Sequence, residues 1–188
     1  MARVCFSFAL CFSSLILGSL SWAQVNTYRG YFLKPSASSS PQIRLDDVSQ
    51  NMIPAAPQVA RILDRLEDGD RLQIRAESRG QTLLVKDVIF VGLRRLVGLW
   101  MGDSTAVNFA NFEDFAFFNL PRRNSVLSPI RFQYSLAPSE GEEWLMIYSN
   151  ESTAKTELAT IIVEKAQITV DYIINEKTAH RVPYKRVF

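Results

Sequence analysis

From residue 71 to 78 the chain reads "RLQIRAES" and alternates without a break. Leu72, Ile74 and Ala76 fall on one side, and Arg71, Gln73, Arg75 and Glu77 on the other. A period of two sends successive side chains to opposite faces of an extended backbone, so this stretch predicts a half-buried strand. The same period recurs at 131–136, 143–149, 157–164 and 168–174, and in shorter form at 27–33 and 42–47. Polar turn-forming residues at 139–142, 150–154 and 164–167 separate the later strands. A weaker candidate at 180–188 contains Pro183, which confines it to a sheet edge.

One segment follows the helical period instead. In "PQVARILDRL", residues 57–66, Val59, Ile62, Leu63 and Leu66 fall at i, i+3, i+4 and i+7, opposite Arg61, Asp64 and Arg65. Pro57 suits the first turn, and Asp68-Gly69 ends the pattern. The run "TLLVKDVIFVGLRRLVGLW" is apolar throughout, too rich in β-branched residues for a helix, and reads as strands at 82–91 and 94–101 with Gly92 at a bend or bulge. "NFANFEDFAFF", residues 108–118, holds Phe109, Phe112, Phe115, Phe117 and Phe118 at no single spacing. The simplest account is a strand to Phe109, a bend near Glu113-Asp114, and a second strand from Phe115. Most rings then fill a core, each contributing roughly 1.5–3 kcal/mol when buried. A ligand platform assisted by Asn108, Asn111 and Asn119, and a membrane-facing surface, are the competing readings of these rings.

Together these patterns predict an all-β fold of about nine to eleven strands, an antiparallel barrel or sandwich, with one amphipathic helix at about 57–66. We divide the chain into 1–23, a leading segment 24–56 with short strands and a serine-rich loop, and a single β-rich domain at 57–188. The stretch 119–129 is the one plausible internal seam.

The N-terminal run changes the picture most. Arg3 precedes an apolar stretch to about Leu17, and Ser21-Trp22-Ala23 offers small residues at the two positions a signal peptidase reads. This is the layout of a secretory signal peptide cleaved after Ala23. An uncleaved membrane anchor is the alternative, but five serines and a glycine dilute the run from Val4 to Ala23. Both cysteines, Cys5 and Cys11, leave with the leader. The mature chain would then have no disulfide, thiolate nucleophile or cysteine metal site. The formal charge of the whole chain is +2, one unit lower once Arg3 is removed, which supplies no electrostatic drive towards nucleic acid.

Local motifs for catalysis are absent from the sequence: His180 is the sole histidine, and neither G-x-S-x-G nor H-E-x-x-H occurs. We assign no catalytic residue, no metal and no cofactor. The acids of "LDD", "LEDGD", "FED" and "EGEE" sit at predicted turns, where solvation explains them. Arg94-Arg95 interrupts an apolar run. Asp87, embedded in the preceding strand, is the expected partner in a buried ion pair, because an unpaired buried charge is very costly. The functional reading of the same residues is an anion-binding site of Arg94 and Arg95 beside Trp100.

The expectation for function is an exported, periplasmic or envelope protein of bacteria acting as a non-enzymatic binding or interaction module. Its partner would be an unknown small molecule or envelope protein, with no nucleic acid and with membrane association not favoured. Two alternatives accompany it. The aromatic C-terminal Phe188, with Tyr184 and Val182, suits a small outer-membrane β-barrel, and a pair of converging acids would suit a carboxylate-dependent hydrolase.

Overall fold

The computed structural model describes residues 24–35, 39–120, 128–139, 141–150, 152–174 and 177–187, excepting the side chains of 174–179. The leader reading at 1–23, most of the seam at 119–129 and part of the serine-rich loop therefore lie outside the described residues. Ser39 and Ser40 of that loop are exposed.

Among the described residues, thirteen strands form one continuous hydrogen-bonded sheet that closes on itself twice. The first ring contains β1 (Val25–Leu33), β2 (Gln42–Leu45), β3 (Val48–Pro54), β4 (Arg71–Arg79) and β5 (Thr82–Gly92). Its circuit runs β1-β2-β3-β5-β4 and returns to β1, with β3 and β5 parallel and every other pair antiparallel. Helix α1 (Pro57–Asp64) connects β3 to β4. This connectivity is that of an OB-type five-stranded barrel.

The second ring contains β6 (Gly98–Met101), β7 (Thr105–Phe109), β8 (Asp114–Asn119), β9 (Ile130–Pro138), β10 (Trp144–Asn150), β11 (Thr156–Val163), β12 (Gln167–Ile174) and β13 (Lys177–Arg186). Each strand pairs with the next, and β13 closes on β6 through Lys185↔Met101 and Arg186↔Trp100. It is an eight-stranded antiparallel up-and-down barrel. One residue pair, Val91↔Leu136, carries the sheet from the first ring into the second.

The all-β expectation and the single short helix agree with this architecture. Val59, Leu63 and Leu66 are buried and Ile62 partly so, as the helical period requires. Strand β3 escapes the sequence reading because only Met52 on it is fully buried. Within the first ring β1 is hydrogen-bonded to β4 and β3 to β5.

Two expectations are corrected. Residues 94–101 do not form one strand: Arg94–Leu96 is a 3-10 turn between the rings, and β6 starts only at Gly98. Asp87 is not buried beneath the arginine pair. The carboxylate is 48% exposed and binds Arg75 at 2.6 Å across the β4–β5 hairpin. The bulge in that hairpin at Arg75/Ala76 is what turns Asp87 outward.

Alternation explains the interior. Trp100, Phe109, Phe115, Tyr134, Leu136, Trp144, Met146, Ile161, Val170 and Tyr184 are buried in the second ring, while Arg131, Gln133, Arg181 and Lys185 on its strands are exposed. Phe115 lies at the centre of the aromatic cluster, with ring centroids 4.9 Å from Phe132, 5.4 Å from Phe109 and 5.7 Å from Tyr148. The phenylalanine-rich stretch thus supplies core at Phe109 and Phe115, Phe117 packs against that core partly buried, and Phe118 takes the opposite face of β8.

Candidate functional site

The segment joining the rings is held by a buried carboxylate. Asp70, fully buried ahead of β4, accepts the Glu67 amide at 2.8 Å and the Arg94 amide at 2.7 Å. Burial raises its pKa, and the two amide bonds oppose the rise. Gly69 takes φ +86°, and Arg94 lies over it so closely that an added Cβ would sit 3.0 Å from its side chain. The backbone of the 3-10 turn is thereby tied to the end of α1.

From this turn Arg94, Arg95 and Trp100 diverge. Arg94 is exposed. Arg95 is partly buried and pairs with Glu67 at 3.0 Å, while its Nε–H has no partner among the described residues. Trp100 is fully buried; its indole N–H donates to the Leu96 carbonyl at 2.7 Å, and the Arg186 guanidinium covers its ring at 5.3 Å. The three residues named from sequence are not brought into one site, and of them Arg95 lines a cavity.

That cavity is a groove of about 1000 Å³ between the rings. One wall is the outer side of α1, where Gln58, Arg61, Ile62 and Arg65 recur at helical spacing; Ser139 and Ile162 belong to the facing wall. Arg65 anchors the two walls. Its guanidinium lies 4.1 Å from the centre of the Trp144 ring and donates to the Ser139 and Glu143 carbonyls. Burial lowers its pKa, and the neighbouring positive charge of Arg95 lowers it further, against an opposing contribution from Glu142. The groove therefore carries apolar surface at Ile62 and Ile162 between guanidinium groups and the carboxylates of Asp64, Glu142 and Glu164. Such a lining suits an amphipathic ligand with polar groups of either sign.

A second cleft, of about 650 Å³, lies on the first ring where β1, β2 and β4 run side by side. Arg29, Tyr31, Arg44 and Arg71 line it together with the two aspartates of the β2–β3 turn. Among the described residues no three histidine, cysteine or acidic side chains are grouped to hold a metal ion. The carboxyl with the raised pKa, Asp70, lines neither the groove nor the cleft.

No family model, curated protein or solved structure matches this chain.

Proposed function

We propose that this protein is a non-enzymatic binding or interaction module exported to the bacterial cell envelope, and that it takes its ligand in the groove between the two rings. The observation that carries the reading is the groove. It combines volume, apolar surface and charged groups of both signs at a junction braced by Arg65 and Asp70, and a braced site loses little entropy on binding.

Two features favour binding over the other readings. General acid catalysis needs a carboxyl of raised pKa open to substrate, whereas Asp70 is enclosed. An outer-membrane barrel needs a continuous apolar band towards lipid, whereas here the largest apolar side chains turn inward and the outer face mixes exposed Leu99, Met101, Ile147 and Leu158 with Arg131, Gln133 and Lys185. Export rests on the leader pattern of residues 1–23.

The test is to express the full chain in a Gram-negative host. The expected protein is released by osmotic shock, begins at Gln24 by mass spectrometry and stays in solution without detergent. Titration with periplasmic extract should then move amide resonances of α1 and of 138–142. Recovery only from detergent-extracted outer membrane would establish the barrel alternative. Resonances of the groove that stay fixed in the extract would remove the binding reading.

A further inference from the structure

The cleft on the first ring has a chemistry of its own, separate from the groove. On the outward face of β1, Arg29 and Tyr31 stand two residues apart. Tyr31 is opposite Arg44 on β2 and opposite Arg71 on β4, so arginine, tyrosine and arginine form a row across three strands. Side chains so paired have their Cβ atoms about 4.5–5.5 Å apart. Gly30 permits this crowding: an added Cβ would overlap the Arg44 carbonyl and sit 2.9 Å from Ile43 Cγ1. At the end of β2 the chain reverses through Asp46 and Asp47, with Asp46 at φ 50°. That turn sets two carboxylates at the rim of the same cleft.

The cations of the cleft are only partly neutralised within the fold. Arg71 meets Glu113 at 3.3 Å, Arg29 donates to the uncharged Gln73 at 2.9 Å, and Arg44 has no partner among the described residues. Tyr31 is 42% exposed, and its ring meets Phe112 edge-on at 6.3 Å. One cleft thus offers guanidinium donors, carboxylate acceptors and an aromatic ring.

We infer that this cleft binds an acidic saccharide. Sugar hydroxyls require acceptors such as Asp46 and Asp47, and the apolar C–H face of a sugar ring packs on an aromatic side chain such as Tyr31. The unpaired Arg44, with Arg71 on the other side of Tyr31, supplies the planar donor pairs that hold a carboxylate or phosphate. A single-stranded nucleic acid fits less well. It needs successive stacking rings along a basic track, whereas this cleft has one tyrosine between its arginines.

The test uses protein recovered from the full chain, with calorimetry and amide-resonance mapping against five probes: tetragalacturonate, glucose 6-phosphate, maltotetraose, inorganic phosphate and an eight-residue oligothymidylate. The expected result is that tetragalacturonate or glucose 6-phosphate, whichever carries the preferred acid, binds about tenfold more tightly than maltotetraose and inorganic phosphate. Its resonance shifts should centre on 29–31, 44–47 and 71. Arg44→Gln should abolish the preference for the acidic sugar, and Tyr31→Ala should weaken it about tenfold, both with an unchanged circular dichroism spectrum. Tightest binding of the oligothymidylate, equal binding of inorganic phosphate, shifts centred on α1, or no saccharide binding would each overturn the proposal.

Discussion

Arg65, capping the C-terminal end of α1, lies over the ring of Trp144 at the start of β10, with its guanidinium carbon 4.1 Å from the ring centre. A side chain from the helix end of one ring thus roofs a fully enclosed tryptophan of the other, and two of its N–H groups donate to the carbonyls of Ser139 and Glu143. Lysine carries the same charge without the flat fork that makes these contacts together. Arg65→Lys should therefore cost about 1–3 kcal/mol, from the lost stacking and charge-assisted bonds. Urea unfolding reads the cost, and amide exchange at 141–143 should quicken. Unaltered exchange there would mean that Arg65 does not brace the groove.

Asp70 should give the fold an unusual acid response. Its pKa is raised in the folded state, so between the unfolded and folded values the native protein binds the extra proton. Stability from this group therefore falls as pH rises through that window and is recovered as pH is lowered through it. Asp70→Asn carries no titrating group at that position. Melting-temperature differences, wild type minus variant, should grow in favour of wild type as pH is lowered from about 7 towards 3. The carboxylates of Glu77, Glu157 and Asp171, held low chiefly by hydrogen bonds from Lys86, Lys155 and Arg181, pull both proteins the other way. Only the difference is diagnostic. A difference that shrinks at low pH contradicts the assignment.

The phenylalanine-rich stretch divides by face. Phe115→Ala empties the centre of the aromatic cluster and should cost about 3–5 kcal/mol. Phe118→Ala, on the opposite face of β8, should cost below about 1 kcal/mol. Chemical denaturation of the two variants side by side tests the division, and equal losses would refute it.

Asp87→Ala should be almost silent. The carboxylate is 48% exposed and its arginine partner 57% exposed, and an ion pair in that setting is worth about 0–1 kcal/mol. A thermal melt displaced by more than a few degrees would restore the buried-pair expectation.

The correction at Asp87 marks the boundary of what local pattern reveals. Alternation identified most strands, and the 3.6 period identified α1, because each depends on residues a few positions apart. The bulges in the β4–β5 hairpin depend on register, which alternation leaves open, and the shift at Arg75/Ala76 puts Asp87 on the opposite face from Leu83 and Val85. Leu93, just ahead of the 3-10 turn, and Leu96, its last residue, are both fully buried, so an apolar run was misread as a strand. The arginine–tyrosine row was invisible for a related reason: Tyr31, Arg44 and Arg71 are remote in sequence and meet only through the pairing of β1 with β2 and β4. Asp70 looked like one more solvated turn acid, since the amides that hold it come from a later turn as well as its own. Of the three residues nominated from sequence, Arg95 reached the groove because it follows the last strand of the first ring. Trp100 went inward because β6 alternates.

The two-pair seam between β13 and β6 imposes an order of events on a chain that emerges N-terminus first. All strands of the five-stranded ring are available once Gly92 is out, so that ring can complete early. The eight-stranded ring cannot close until Lys185 and Arg186 arrive to meet Met101 and Trp100. Until then β6 presents an unpaired edge beside unburied aromatic residues, the state in which strand proteins aggregate or exchange elements. Arg186 ends that interval, donating to the Val97 carbonyl at 2.9 Å as it covers Trp100. For about half the length of the chain, a finished barrel would travel with an unfinished one, and holding the second open without losing it would be the task of whatever receives the chain.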